Sequence, residues 1–107
     1  MEGRTGGGGI LVTLGASGAA AWIDGRVERF PAYAVEPVDT TGAGDVFHGA
    51  FAVACLRGME LRDAIDFSNA VAAMKCRAVG AQAGIPRGVE EVEAFRRATP
   101  HGRPSER

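Results

Sequence analysis

A loop rich in glycine and threonine, placed directly before a long apolar run, constrains this chain most. Residues 39–45 read Asp-Thr-Thr-Gly-Ala-Gly-Asp, and the apolar residues 46–56 predict a helix buried nearly all round. Gly42 and Gly44 permit backbone angles that other residues resist, so successive amides can point into one concavity. The following helix adds free N–H groups and the positive end of its dipole. The loop therefore predicts a site for an anion such as phosphate.

The carboxylate that ends this loop, Asp45, would repel a bound phosphate. An enzyme that transfers a phosphoryl group needs that combination, because the attacking hydroxyl requires a base beside donors for the phosphate charge. The alternative is a turn between a strand and a helix, in which threonine and aspartate side chains only cap the helix. His48, three residues after Asp45, could assist at the site, but we favour a packing role for it.

Composition excludes several classes of partner. The chain has 107 residues and a net charge of −1, which predicts one domain without a nucleic-acid or anionic membrane surface. No apolar run is long enough to span a bilayer, and the N-terminus lacks the layout of a signal peptide. Cys55 and Cys76 fall in separate predicted helices without metal-type spacing, so we expect reduced thiols and a cytoplasmic protein.

The first third of the chain predicts strands after a flexible leader, residues 1–9. Residues 10–14 form a continuous apolar run that predicts a strand buried on both faces. Residues 15–18 read Gly-Ala-Ser-Gly, which would also suit a dinucleotide-binding unit if a helix followed. Instead, Asp24 and Gly25 separate two strand-like runs and predict a hairpin that ends at Pro31.

The C-terminal half predicts two further helices, over residues 61–77 and 89–97, joined by a second glycine-rich loop at 80–86. Asn69 falls on the apolar side of the first of these helices, where its amide needs a partner. That partner could be a neighbouring backbone group or a ligand. We predict one folded unit over residues 10–98 and a disordered polar tail over residues 99–107.

These motifs resemble the C-terminal portion of the ribokinase-like (PfkB) carbohydrate kinases. The resemblance rests on D-T-x-G-A-G-D before an apolar helix, T-L-G-x-x-G before a hairpin, and G-A-Q-x-x-x-P, and it covers residues 10–97. It implies an α/β chain, a truncated C-terminal part of a three-layer ribokinase-like fold. It implies that Asp45 is the catalytic base and that the amides of Gly42, Ala43, Gly44 and Asp45 form the anion hole. The implied nucleotide-binding residues are Thr13, Gly15, Gly18, Asn69, Gly80 and Ala81.

The same resemblance implies ATP and Mg²⁺ as cofactors, with K⁺ held near Asp39, Thr41 and Gly84. The implied partner is a small sugar, a hexose or ketose, and self-association is the other partner that we consider. Most of the family's sugar site and its N-x-x-E motif are missing, so we expect the chain alone to be inactive. The alternatives are part of a dinucleotide-binding oxidoreductase, or a non-catalytic interaction module.

Overall fold

The structure of the chain is a computed structural model that describes residues 11–13, 18–35, 42–76 and 88–102. Within these ranges the chain forms three strands followed by three helices. In order they are β1 (Leu11–Thr13), β2 (Gly18–Ile23), β3 (Arg26–Pro31), α1 (Ala43–Leu56), α2 (Leu61–Cys76) and α3 (Val89–Ala98). This order agrees with the α/β class that the sequence predicts.

The hairpin between β2 and β3 forms where the sequence predicts it. Asp24 and Gly25 both have positive φ angles, 51° and 84°, the combination that lets a two-residue turn match the twist of its strands. Ile23 faces Arg26 across this turn, and the pairing continues to Gly18 opposite Pro31. A strand therefore follows the Gly-Ala-Ser-Gly stretch, where a dinucleotide-binding unit would have a helix.

The strand β1 lies at one side of a three-stranded antiparallel sheet in the order β1-β2-β3. Its Leu11 side chain is buried, but Val12 is half exposed. The prediction of a strand buried on both faces is therefore wrong for this sheet. In the described part of the chain, helices pack on one face only, and Val12, Trp22 and Val27 are exposed.

The helices α1 and α2 form a helical hairpin, because residues 57–60 are too few to do more than reverse the chain. The helix α1 ends at Leu56, and two residues later Gly58 has a left-handed φ of 81° that stops the helix. Met59 N–H donates to Ala54 O and Gly58 N–H to Cys55 O, which satisfies two carbonyls at the helix end. The start of α1 differs from the prediction by three residues, since Ala43, Gly44 and Asp45 are already helical.

The helix α2 is the centre of the packing, because it contacts α1, α3 and the hairpin strands. One cluster of buried side chains joins all three helices around Phe67 and Tyr33. A second joins the sheet to the helices through Phe30, Phe47 and Ile65. The helix α1 is not buried all round as predicted, because Val53 and Leu56 are exposed. The described part of the chain covers only one side of α1.

The chain end after α3 folds back onto the segment that follows β3. Ala34 N–H donates to Pro100 O at 2.8 Å and Gly102 N–H to Ala32 O at 2.6 Å. Tyr33 and His101 pair between these bonds, with ring centroids 4.2 Å apart. The predicted disordered tail is therefore wrong for residues 99–102, because backbone bonds and a ring contact hold them. Among the described residues, no helix is long and apolar enough to cross a membrane.

Candidate functional site

The first turn of α1 presents an open helix N-terminus. Gly42 is the N-cap residue with φ 77°, and no side chain caps the helix. Val46 N–H donates to Gly42 O at 3.0 Å, which is the first bond of the helical ladder. The amides of residues 42–45 precede that bond and have no partner within the helix. Together with the helix dipole, they are donors suited to an anion.

The two glycines of this loop have different roles. Gly42 needs its left-handed angle, whereas Gly44 lies in the helix without a positive φ. A Cβ atom added at Gly44 would meet nothing within 4 Å. The expectation that both glycines are needed for unusual backbone angles is therefore wrong for Gly44. Its lack of a side chain instead leaves open space beside the free amides.

Asp45 lies in the third helical position of α1 and is exposed. A carboxylate in the first turn is favoured by the helix dipole, so the position is electrostatically stable without a ligand. The side chain does not cap its own helix. An exposed carboxylate beside open amides can accept a proton from a hydroxyl group held in front of that helix end.

Three of the predicted nucleotide residues converge at the end of β3. Asn69 is buried and its Nδ2 donates to Phe30 O at 3.0 Å and to Pro31 O at 3.3 Å. Gly18 pairs with Pro31, and a Cβ atom at Gly18 would lie 2.2 Å from Phe30 O. Thr13 pairs with Ala19, the next residue along β2. The amide of Asn69 therefore has backbone partners, and Gly18 is required by close packing.

The remaining predicted site residues lie outside the described ranges. They are Gly15, Gly80 and Ala81 of the nucleotide set, and Asp39, Thr41 and Gly84 of the cation set. Within the described ranges, no three His, Cys, Asp or Glu side chains form a group that could hold a metal ion. His48 is exposed and its ring packs edge-on against Phe47, so both the packing role that we favoured and a helper role at the site stay predictions.

Sequence analysis missed a polar cluster around Asp66, which we call the Asp66 cluster. It comprises Tyr33, Asp66, Arg96 and His101. Asp66 accepts hydrogen bonds from the Tyr33 hydroxyl, from Arg96 Nε at 3.1 Å and from His101 Nε2 at 2.6 Å. These residues are 30 or more positions from Asp66 in sequence, so no local pattern could reveal the cluster.

The cluster shifts the acid–base behaviour of two of its members. Burial and the Asp66 carboxylate raise the pKa of Tyr33 well above its ordinary value, against a smaller opposing effect of Arg96. Burial by itself would lower the pKa of Arg96, but its bonds to Asp63 and Tyr33 and the nearby carboxylates raise it. The cluster therefore holds a neutral phenol and a charged guanidinium between α2 and α3.

Comparison with known proteins is consistent with this arrangement. Residues 4–87 match the profile of the pfkB family carbohydrate kinases. A ribokinase of Bacillus subtilis is 40% identical over 77 residues, which are 72% of this chain and 26% of that protein. A ribokinase structure from Thermotoga maritima superposes with a TM-score of 0.76 at 44% identity, over 83% of this chain and 30% of that one.

An Arabidopsis thaliana ribokinase solved with ribose and ATP superposes with a TM-score of 0.72 at 35% identity, over 81% of this chain and 28% of that one. The chain thus spans less than a third of the length of these relatives and has the fold of that part of a ribokinase. The part matched holds β1, the hairpin and the Asp39–Asp45 loop. The chain belongs to the pfkB family of carbohydrate kinases.

Proposed function

We propose that this chain is the part of an ATP-dependent carbohydrate kinase that binds the nucleotide and carries the catalytic base. The reaction is transfer of the γ-phosphoryl group of ATP to a sugar hydroxyl. The observation that carries the proposal is the first turn of α1, where uncapped amides stand beside an exposed carboxylate. That combination matches the needs of phosphoryl transfer, which joins proton removal to stabilisation of phosphate charge.

In this proposal Asp45 accepts the proton of the sugar hydroxyl as that oxygen attacks the γ-phosphorus. The amides of Gly42, Ala43, Gly44 and Asp45 donate to the phosphoryl oxygens while the charge is redistributed. Fixed backbone donors need no reorganisation during the reaction. The open space beside Gly44 leaves room for the phosphoryl group in front of these donors.

The nucleotide is assigned to Thr13, Gly15, Gly18, Asn69, Gly80 and Ala81, an assignment that rests on resemblance. For Asn69 and Gly18 the structure supports a positioning role, because both shape the backbone at the end of β3. The backbone carbonyl groups of Phe30 and Pro31, together with the close approach of Gly18 to β3, can form one wall of a nucleotide pocket through main-chain atoms alone. The relative solved with ATP and ribose supports the choice of nucleotide and of a sugar partner.

Two cations complete the proposal. Mg²⁺ would supply positive charge to the triphosphate when bound, and the described residues include no group of three His, Cys, Asp or Glu side chains that could hold it by themselves. K⁺ is assigned to Asp39, Thr41 and Gly84. If that assignment holds, phosphorylation should be faster in K⁺ than in Na⁺ at equal ionic strength, and equal rates in the two salts would count against it.

A second candidate is a non-catalytic interaction module. It is favoured by the exposed side chains of Trp22 and Val27, which are cross-strand partners in the hairpin. Large apolar side chains exposed together mark surfaces that partners cover. In a kinase the same surface would be covered by the remaining part of the fold, so exposure alone does not separate the two candidates.

An activity measurement separates them. The matching segment of the Bacillus subtilis ribokinase is replaced by this chain to give a protein that we call the ribokinase chimera. We expect ribose-dependent ATP turnover by the chimera and none by the 107-residue chain, because positioning of the hydroxyl is much of the catalysis. Asp45→Asn should lower kcat by about 10²–10⁴-fold, the usual contribution of a general base.

Asp24→Asn is the matched control, because it removes an exposed carboxylate from a hairpin turn that asparagine also suits. That variant should keep the turnover of the chimera. If Asp45→Asn retains more than about a tenth of the rate, the base assignment fails. If the unaltered chimera folds and binds ribose but consumes no ATP, the interaction module becomes the better proposal.

A further inference from the structure

Lys75 is the only lysine in the chain, and it is completely buried in the last turn of α2. Its Nζ atom has no hydrogen-bond partner, the sole side-chain nitrogen or oxygen in that state among the buried atoms of the described residues. The other two buried polar side chains of α2, Ser68 and Asn69, both have backbone partners. An enclosed ammonium without a partner costs free energy, so its retention needs a reason.

The packing of the helical hairpin places Lys75 at the end where the proposed phosphate site lies. The helices α1 and α2 run antiparallel, so the end of α2 lies beside the beginning of α1. The connection between them is only residues 57–60, and these two helices make the most extensive contact between any two elements of the described chain. Lys75, in the last turn of α2, is therefore level with the first turn of α1.

That first turn lacks a cation of its own. Gly42, Ala43, Gly44 and Asp45 contribute amides and one negative carboxylate, and no basic residue lies between positions 39 and 45. A triphosphate placed there would add several negative charges beside Asp45. The amides offer only partial charges, so a full positive charge nearby would strengthen binding.

We propose that the Lys75 ammonium is the fixed counter-charge for the triphosphate of the nucleotide at the start of α1. This inference rests on the proposed function. Because the side chain is enclosed, Lys75 acts through its field and not through contact, which makes it a positioning residue. A charge in a water-poor interior is screened far less than one on the surface. The cost of burying the ammonium is thereby partly recovered when the nucleotide binds.

The test compares thermal unfolding of the purified 107-residue chain with that of two variants, Lys75→Met and Arg57→Met. Methionine is flexible and similar in length, so it fills the enclosed site without a charge. Arg57 is exposed at the opposite end of the helical hairpin, so Arg57→Met changes net charge equally and serves as the control. The probes are sodium tripolyphosphate, which carries the charge alone, and ATP.

Without a probe, Lys75→Met should unfold at the same temperature as the unaltered chain or higher, because an uncompensated charge is removed. Each probe should raise the unfolding temperature of the unaltered chain and of Arg57→Met, and should raise that of Lys75→Met by less than half as much. The corresponding dissociation constant for ATP should be about tenfold weaker in Lys75→Met, the effect of one well-placed charge.

Equal stabilisation of all three chains by ATP would overturn the role of Lys75 and leave the proposed function intact. Stabilisation of none of them would overturn nucleotide binding, and both proposals with it. A second measurement covers the case in which the variant does not fold alone. In the ribokinase chimera, Lys75→Met should raise KM for ATP and leave KM for ribose unchanged. A merely structural loss would instead lower kcat without raising KM for ATP selectively.

Discussion

The neighbouring helices α1 and α2 are similar in length, but the more apolar of the two, α1, is the less buried. The helix α1 has 14 residues, nearly all apolar or small, yet only Phe47, Ala50 and Ala54 are buried. The helix α2 has 16 residues with several charged side chains, yet ten of its residues are buried. Apolar composition therefore does not decide which helix is the core helix of this chain.

The difference follows from how many neighbours each helix has. The helix α2 is surrounded by α1, α3 and the hairpin strands, and its outer edge is closed by the Asp66 cluster. The helix α1 packs against α2 and the sheet, and its other side is exposed at Val53 and Leu56. Its exposed apolar side chains are suited to packing against further residues, which the described part of the chain does not supply. The chain spans less than a third of the length of its relatives.

The largest expected effect concerns the first turn of α1, whose exposure we attribute to function. Gly44→Val should weaken ATP binding to the ribokinase chimera by about 100-fold or more, the loss expected when charge-assisted bonds to phosphate are blocked. The added side chain tilts toward the helix N-terminus and would stand in front of the free amides. Calorimetric titration with ATP measures this.

The control for that variant lies at the other end of α1. Gly58→Ala forces a residue with a Cβ atom into a left-handed angle, so it should cost about 1–2 kcal/mol of stability and leave ATP affinity unchanged. The fold accommodates a side chain at Gly44, so Gly44→Val should not lose stability comparably. Equal ATP affinity in Gly44→Val and the unaltered chimera would refute the anion hole.

The contrast in burial between the two helices predicts a contrast in stability. Phe67→Ala on α2 should lower the free energy of unfolding of the 107-residue chain by about 3–5 kcal/mol, the cost of emptying a core aromatic site. Leu56→Ala on α1 should change it by less than about 0.5 kcal/mol, as for exposed positions generally. Urea denaturation followed by circular dichroism gives both values. A large loss for Leu56→Ala would show that α1 is covered in solution, by another copy of the chain or otherwise.

The smallest effect concerns the Asp66 cluster at the edge of α2. Because the pKa of Tyr33 is raised on folding, the folded chain keeps the phenol proton where the unfolded chain loses it. The resulting stability is fully present below about pH 10, the ordinary pKa of tyrosine, and is lost as the pH rises above that value. Tyr33 is the only tyrosine, so phenolate absorbance during alkaline titration reports this group alone.

Tyr33→Phe is the matched variant, since it keeps the ring and removes the hydroxyl. It should lose about 1.5–3 kcal/mol near neutral pH, the usual worth of a hydrogen bond to a charged group such as the Asp66 carboxylate. Its stability should also depend less on pH above about pH 10. If Tyr33 ionises in the folded chain as readily as in urea, the hydroxyl is not bound to Asp66 and the edge of α2 is open.

Local sequence patterns determined much of the fold. The Asp-Gly pair specified the hairpin because positive φ angles at both positions are needed there, and Gly58 specified the end of α1 for the same reason. The position of Asp45 beside Gly42 at the start of a helix was also readable, since loop and helix are adjacent in sequence. These features depend on backbone preferences within a few residues.

Only the tertiary structure decided which apolar and polar side chains are enclosed. The sequence predicted a fully buried α1 and a disordered end after residue 98, but α1 is covered on one side and His101 pairs with Tyr33 and Asp66. It gave no sign that Lys75 is enclosed without a partner, since a lysine near a helix end ordinarily lies in solvent. Burial depends on contacts between residues 30 or more positions apart, and those contacts leave no periodic signal in a single chain.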